Sequence, residues 1–337
     1  MSVTHLSEAA PSPPVLQPAF VRTVDRRLVH RRAVHEVFLT GGIREDERNS
    51  IAYAQLPIAH PYYLDTAPGP ARYDALLLTE CARQACTYVA HTQYDVPADW
   101  VLLAAVTEIE LTDPGALRVG REPAELTMRM HSTPTRRAGS LRVMDTDIRL
   151  EINGTHAGFV HGSGRYLTAD EYRLLRAGDG EGPRSTSMAL TRAGNSVPVP
   201  ARLVGRRDAG NVVLADGRQV DGGATARLDV PGDHPSIFDH ALDHYPAMVL
   251  LDGAVRMTAL SYALSTGSSD PDIAISRLAA EFDRFAELDA PVELTARLDR
   301  VVGNRLDAVV AVSQQGQLLC EVAVSALVTE TPAGEHR

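Results

Sequence analysis

HPYYLDTAPGPARYDALLLTECARQA, residues 60–85, and HPSIFDHALDHYPAMVLLDGAVRMTA, residues 234–259, are one stretch written twice, some 170 residues apart. Each opens on His-Pro and runs through a turn-rich segment. Each then enters an apolar helix whose second turn carries an acid and an arginine. Solenoid repeats recur every 20–50 residues or so, so this spacing marks two copies of a domain-sized unit. Two copies can build one site between them.

The flanks repeat as well. ARLVGRRDAGNVVLAD, residues 201–216, matches residues 29–40, with Arg206-Arg207 where the first copy has Arg31-Arg32. ATARLDVP precedes His234-Pro235 as IAYAQLPIA precedes His60-Pro61, and PVELTARL (291–298) echoes PAELTMRM (123–130). Residues 29–40 and 201–216 mix β-branched and polar side chains and are expected to be strands; residues 50–57 alternate and read as another. Helices are expected over about residues 74–92 and 247–264, with a short one at TADEYRLLRAG, 168–178. The expected organisation is a Pro-rich tail (1–19), a first unit (20–167), a short helix and linker (168–200), a second unit (201–330) and a tail (331–337).

Both long helices are apolar nearly all round. The first carries Leu76, Leu77, Leu78, Cys81, Ala82, Ala85 and Val89; the second carries Met248, Val249, Leu250, Leu251, Ala254, Val255 and Leu260. A helix without a polar face must be buried. Strands precede and follow it in each unit. One antiparallel sheet wrapped around one central helix satisfies both facts. That is the α+β hot-dog architecture, here in tandem.

Composition narrows the function. The 337 residues, 44% hydrophobic and 23% charged, suit two globular units. A net charge of -10 argues against general nucleic-acid binding, which needs a basic surface. All 33 basic residues are arginine, so no lysine is available for a Schiff base, and arginine must make every strong contact to phosphate or carboxylate. The three cysteines show neither metal spacing nor a disulfide framework. Cys81 and Cys86 sit within the first apolar helix, as small hydrophobes. No cofactor and no metal are expected. There is no signal-peptide run and no stretch of about 20 apolar residues, so a cytoplasmic protein without a membrane span is expected.

The second copy reads Asp239-His240-Ala241-Leu242-Asp243-His244-Tyr245-Pro246-Ala247-Met248-Val249-Leu250-Leu251-Asp252, similar to the phrase DH-x-LDH-x-P-G-M-x-L-L-E. Residues 74–84 resemble D-x-L-L-L-x-E-x-x-R-Q, and Val29-His30-Arg31-Arg32 matches an opening segment. Through these phrases residues 20–330 resemble the A-factor biosynthesis (AfsA-type) family of actinomycete signalling-molecule synthases. The resemblance implies tandem hot dogs and an acyltransferase. Such an enzyme joins a β-ketoacyl thioester on acyl carrier protein to a hydroxyl of dihydroxyacetone phosphate, and the ester becomes a γ-butyrolactone-type signal. The helix entry is also similar to 3-hydroxyacyl thioester dehydratases, whose site pairs a loop histidine of one hot dog with a helix carboxylate of its neighbour. Here Asp252 replaces the family's glutamate and Ala247 its glycine. The arginine kept as Arg83 becomes Val255 in the second copy, with Arg256 one place later.

The candidate chemistry follows. Glu80, Arg83 and Gln84 share one face of a greasy helix, and so do Asp252 and Arg256. A buried charge is retained paired or for a purpose. Each acid–arginine set is therefore either an internal ion pair or a proton acceptor beside an anion grip. His240 and His244 flank the second helix start. Either suits deprotonating a hydroxyl near neutral pH, with Asp239 or Asp243 fixing its tautomer. Counting back from Asp252 places His240 nearer the dehydratase position, which makes it the preferred base. The matching loop of the first copy has Asp65 and Thr66, with no histidine. One intact site joining a loop histidine to Glu80, and one degenerate site at Asp252, are expected. Backbone N–H groups near Ala247 and Ala75 could polarise a thioester carbonyl. Arg83 or Arg256 would hold the acceptor phosphate. One arginine of each strand pair should face outward, to solvent or to the carrier protein. His60 and His234 are expected to be structural.

The expected partners are an acylated carrier protein and a small phosphorylated acceptor, with the chain a monomeric pseudo-dimer or a homodimer. A hot-dog dehydratase or thioesterase, and a non-catalytic acyl-binding protein, are the alternatives. Offering 3-hydroxyacyl thioester without acceptor separates the first; ligand binding without turnover marks the second. Acyl length and branching and the acceptor's identity are not legible.

Overall fold

Duplicated sequence becomes duplicated topology in the computed structural model, which describes residues 19–66, 69–177, 185–192 and 194–329. Most of the expected tails and linker lie outside them. In the first half, β1 (Leu39–Arg44), β2 (Asn49–Leu56), β3 (Val101–Leu111), β4 (Ala124–Arg137), β5 (Ser140–Ile152) and β6 (Thr155–Leu167) surround α1 (Ala75–Gln93). A short helix, α2 (Ala169–Ala177), follows. In the second half, β7 (Leu214–Val220), β8 (Gly223–Leu228), β10 (Ile273–Glu281), β12 (Val292–Val302), β13 (Arg305–Gln314) and β14 (Gln317–Val328) surround α3 (Ala247–Thr266). A two-residue ribbon pairs β9 (His244–Tyr245) with β11 (Ala286–Glu287).

The twelve long strands form one antiparallel sheet, ordered β1-β2-β4-β5-β6-β3-β10-β14-β13-β12-β8-β7. Each half contributes six strands in the same relative order, and the seam is the β3–β10 pair. The helices lie in the concave side of their halves. Leu76, Leu77 and Leu78 are at most 2% exposed, each contributing about 2 kcal/mol of burial. α3 is the one helix among the described residues long and apolar enough to cross a bilayer, and most of it is buried inside the sheet. It stops at Gly267, which supplies the left-handed conformation (φ 76°) whose N–H closes on Ala263.

The halves clasp each other reciprocally. The Asp65 carboxylate accepts the backbone N–H groups of Arg207 and Asp208; the Asp239 carboxylate accepts those of Arg32 and Ala33. Loop residues of each half thereby fix a turn of the other.

That turn corrects the strand expectation for residues 29–40 and 201–216. Both segments run through turns, bends and short 3-10 helices before any strand: Arg26–Val29 and Val34–Glu36 in the first half, Ala201–Val204 and Ala209–Asn211 in the second. Strands begin only at Leu39 and Leu214. The break is a left-handed residue, His30 (φ 50°) in one half and Gly205 (φ 68°) in the other. Strand alternation therefore does not orient the arginine pairs. The turns do: Arg31 and Arg206 point inward to the helix acids, while Arg32 and Arg207 are exposed.

Candidate active site

A cavity of about 900 Å³ opens between the halves. Between α1 and the first-half sheet, Leu76, Thr79, Ala82 and Cys86 line it with Leu102, Met144, Val160 and Tyr166, and the second half adds apolar residues such as Ile237, Val249, Leu250 and Phe282. Its polar wall comes from both. The first half supplies His30, Arg31, Arg32 and Arg83; the second supplies His240, Asp243, His244 and the start of α3 at Ala247. Cys86 offers no nucleophile there, because burial pushes its thiol up to about 11.

Of the two loop histidines, His244 is the better held. β9–β11 pairing fixes its backbone. Its Nδ1 lies 2.7 Å from Asp243 Oδ1 and its ring packs edge-on to Phe285. Tyr172 and Arg176 of α2 grip the same carboxylate at 2.7 and 3.0 Å, and Arg176 also bridges to Glu287. Burial works to raise the Asp243 carboxyl, but the donors from His244, Tyr172 and Arg176 hold it well below the usual range. An ionised Asp243 keeps the His244 proton on Nδ1 and leaves the Nε2 lone pair free. His240 is looser: its side chain is 43% exposed and its Nδ1 is 3.5 Å from Asp239.

The α3 start beside this dyad is uncapped. Pro246 holds the N-cap position and supplies no side-chain acceptor. Helix N-termini leave several N–H groups unpaired within the helix, and Ala247 and Met248 line the cavity. At α1 the Asp74 carboxylate accepts the N–H of Leu76 and Leu77. The expectation of a second free helix start near Ala75 is thus corrected: that site is filled by its own cap.

Glu80 also differs from the expectation. It is fully buried and absent from the cavity wall. Its oxygens accept from Arg31 (ion pair, 2.6 Å), Arg83 (2.8 Å) and Gln84 (2.7 Å). Burial would raise its carboxyl; the two guanidiniums and the hydrogen bonds outweigh that and carry it down to about 2. A saturated carboxylate is a poor proton acceptor. Glu80 positions Arg31 and Arg83, which do reach the cavity. Gln84 lies behind it, tying α1 to Glu36, Phe38 and Leu39.

Asp252 and Arg256 are on the other side of the pseudo-twofold. Asp252 accepts from Arg206, Arg256 (2.9 Å) and the Tyr62 hydroxyl (2.9 Å). Arg256 also bonds the Val204 carbonyl and lies 3.8 Å from Asp74. Arg256 lines a void of only about 40 Å³, so the structure does not bring it to the large cavity as an acceptor grip. The ion-paired groups differ in make-up: Arg31 and Arg83 share Glu80, whereas Arg206 and Arg256 share Asp252 and Arg256 also approaches Asp74. His60 and His234 are structural: their Nδ1 atoms accept backbone N–H groups of the following turn.

Sequence reasoning passed over three residues. Tyr172 and Arg176 lie on α2, far in sequence from the dyad they brace. His30 lies on the cavity wall, with its Nε2 2.9 Å from His91 Nε2, while His91 Nδ1 donates to the Val96 carbonyl at 2.7 Å. Burial, then His91, Arg83 and His240, lower the His30 imidazolium to about 4, so it is neutral near pH 7. The available signal was positional: a histidine where the other copy has Gly205.

Fold and cavity together define a tandem hot-dog protein with an open cavity between its halves. The profile of the A-factor biosynthesis hotdog domain matches residues 14–168 and 189–330. The chain belongs to that family. A 2-oxo-3-(phosphooxy)propyl 3-oxoalkanoate synthase of Streptomyces virginiae is 32% identical over 313 residues, covering 86% of this chain and 95% of its own. The protein of that name from Streptomyces coelicolor is 31% identical, covering 81% of each. Among solved structures, the dehydratase domain of PpsC from Mycobacterium tuberculosis in complex with C12:1-CoA shares 14% identity at a TM-score of 0.48, over 86% of this chain and 98% of that one.

Proposed function

We propose that this protein is an acyltransferase that moves a β-ketoacyl group from an acyl-carrier-protein thioester to a hydroxyl of dihydroxyacetone phosphate. The product is the phosphorylated ester from which γ-butyrolactone-type signals are made. One observation carries the mechanism: the braced His244–Asp243 dyad stands beside the uncapped start of α3, on a cavity whose other half is apolar.

The acyl chain lies along α1. The thioester carbonyl points at the N–H groups of Ala247 and Met248, where a helix start favours developing negative charge. His244 Nε2 takes the proton of the acceptor hydroxyl. The oxygen attacks the carbonyl carbon, the C–O bond forms and the C–S bond breaks. The carrier thiol leaves with the proton that His244 held. Arg83, with Arg31 behind it, binds the acceptor phosphate; guanidiniums suit that contact. The exposed Arg26, Arg32 and Arg284 at the mouth suit an acidic carrier protein. His244 is preferred to His240 because only its carboxylate partner is close and braced.

The test is direct. Full-length protein is mixed with a β-ketoacyl thioester and dihydroxyacetone phosphate, and products are weighed by mass spectrometry. The phosphorylated ester is the expected product. Folded protein that releases only free acid, or that dehydrates a 3-hydroxyacyl thioester with no acceptor, would overturn the assignment.

A further inference from the structure

Three glycines of β6 are not there for one reason. At Gly158 an added Cβ would sit 2.1 Å from the Glu110 carbonyl oxygen, so the backbone demands glycine. At Gly162 the nearest atom to an added Cβ is the Val106 oxygen at 3.9 Å, and at Gly164 it is the Leu103 oxygen at 3.8 Å. Those are ordinary contacts. Neither residue has the left-handed backbone that would call for glycine. Both line the large cavity.

The second half shows what these positions otherwise hold. β3 and β10 each slip register at one point, between Ala104 and Val106 and between Ile275 and Arg277. Matching the slips pairs Gly162 with Val324 and Gly164 with Ala326. In the closed half the row across the sheet is Leu278–Val324–Ala308, all at most 3% exposed. In the open half the same row is Thr107–Gly162–Thr146. The next row is Ile275–Ala326–Leu306 against Ala104–Gly164–Met144. Side chains fill one helix–sheet gap; their absence leaves the other open.

We propose that Gly162 and Gly164 set the length of acyl chain the enzyme accepts, by leaving the sheet wall bare where the distal methylenes lie. This rests on the acyl-transfer reading and names its donor as a chain long enough to pass the two glycines. Gly162→Val restores the side chain of the closed half, with its atoms directed into the space the chain would use.

The experiment compares wild type with Gly162→Val on 3-oxohexanoyl and 3-oxododecanoyl thioesters with dihydroxyacetone phosphate. Each methylene lost from an apolar site costs about fourfold in affinity, so excluding two lowers the long-to-short ratio of kcat/KM about 15-fold. Gly162→Ala, whose single added carbon meets only ordinary contacts, should shift the ratio in the same direction by about threefold. An unchanged ratio in both variants, with melting temperatures like wild type, overturns the proposal. Dissociation constants of hexanoyl and dodecanoyl thioesters, measured calorimetrically without acceptor, separate the two claims. A shift of about 15-fold there supports the glycines even if no ester forms; an unshifted binding ratio counts against them.

Discussion

The two helix starts of this chain face pseudo-equivalent gaps, and only one gap is open. At the closed one, Asp74 caps α1 and approaches Arg256, Gly205 makes the turn and Val324 fills the sheet wall. At the open one, α3 has no cap, Arg31 and Arg83 share the single Glu80 carboxylate, His30 makes the turn and Gly162 leaves the wall bare. Each open-side feature forgoes local stability that its counterpart keeps. An uncapped helix start forgoes about 1 kcal/mol, and a non-glycine residue in the left-handed region costs about as much. Cost concentrated on one side of a duplicated fold supports the proposal that this side carries the chemistry.

The largest effect should come from the dyad. His244→Ala should lower kcat about 1000-fold, the scale of lost general-base catalysis, with little change in melting temperature. His240→Ala should lower it far less. Equal losses would erase the distinction drawn between the two loop histidines.

The buried carboxylates come next. Glu80→Gln and Asp252→Asn each strand two guanidiniums, and each should destabilise the fold by about 3–5 kcal/mol in denaturant titrations. Only Glu80→Gln should also raise KM for the phosphorylated acceptor, because only its arginines reach the cavity. A raised acceptor KM in Asp252→Asn would mean the closed side takes part.

Installing the missing cap is a gentler intervention. Pro246→Asp copies Asp74 onto α3 at a residue already extended (φ −68°, ψ 154°). The fold should gain about 1 kcal/mol while kcat falls roughly 10–100-fold, as the cap competes for the N–H groups meant for the thioester oxygen. Pro246→Ser, a neutral cap, should act in the same direction.

The smallest effect concerns His30. Its folded value is lowered to about 4 from 6.5, so as pH falls below 6.5 the unfolded chain takes up a proton that the folded one refuses. His60, also lowered to about 4 by burial, acts alike. Stability should therefore be fully present above pH 6.5 and decline toward pH 4. In His30→Gly that decline should be shallower, read as melting temperature against pH. At pH 7 the variant should stay within about 1 kcal/mol of wild type, since Gly205 already makes this turn in the other half, yet it should turn over more slowly.

Much of the fold was legible in the sequence, because burial writes itself as apolar helices and duplication as repeated phrases. The asymmetry of the helix caps was not read from it: both helix starts were expected to be free, although Asp74 is an N-cap residue and Pro246 is not. The turns before β1 and β7 were not legible, since Val29, Val34, Val212 and Val213 look like strand while His30 and Gly205 reverse the chain. The role of Glu80 was hidden for a different reason. Spacing along α1 reveals Arg83 and Gln84, but Arg31 arrives from 49 positions away and completes the ion pair that removes Glu80 from proton transfer. The bracing of His244 by Tyr172 and Arg176 likewise depends on how α2 folds back, which no local pattern records.

The most direct measurement is a crystal structure with a non-cleavable thioether analogue of a β-ketoacyl thioester. One analogue per chain is expected, its chain against α1 and Gly162, its carbonyl oxygen within hydrogen-bonding distance of the Ala247 and Met248 N–H groups. An analogue seated at Asp74 and Arg256, or one in each half, would contradict the single-site account.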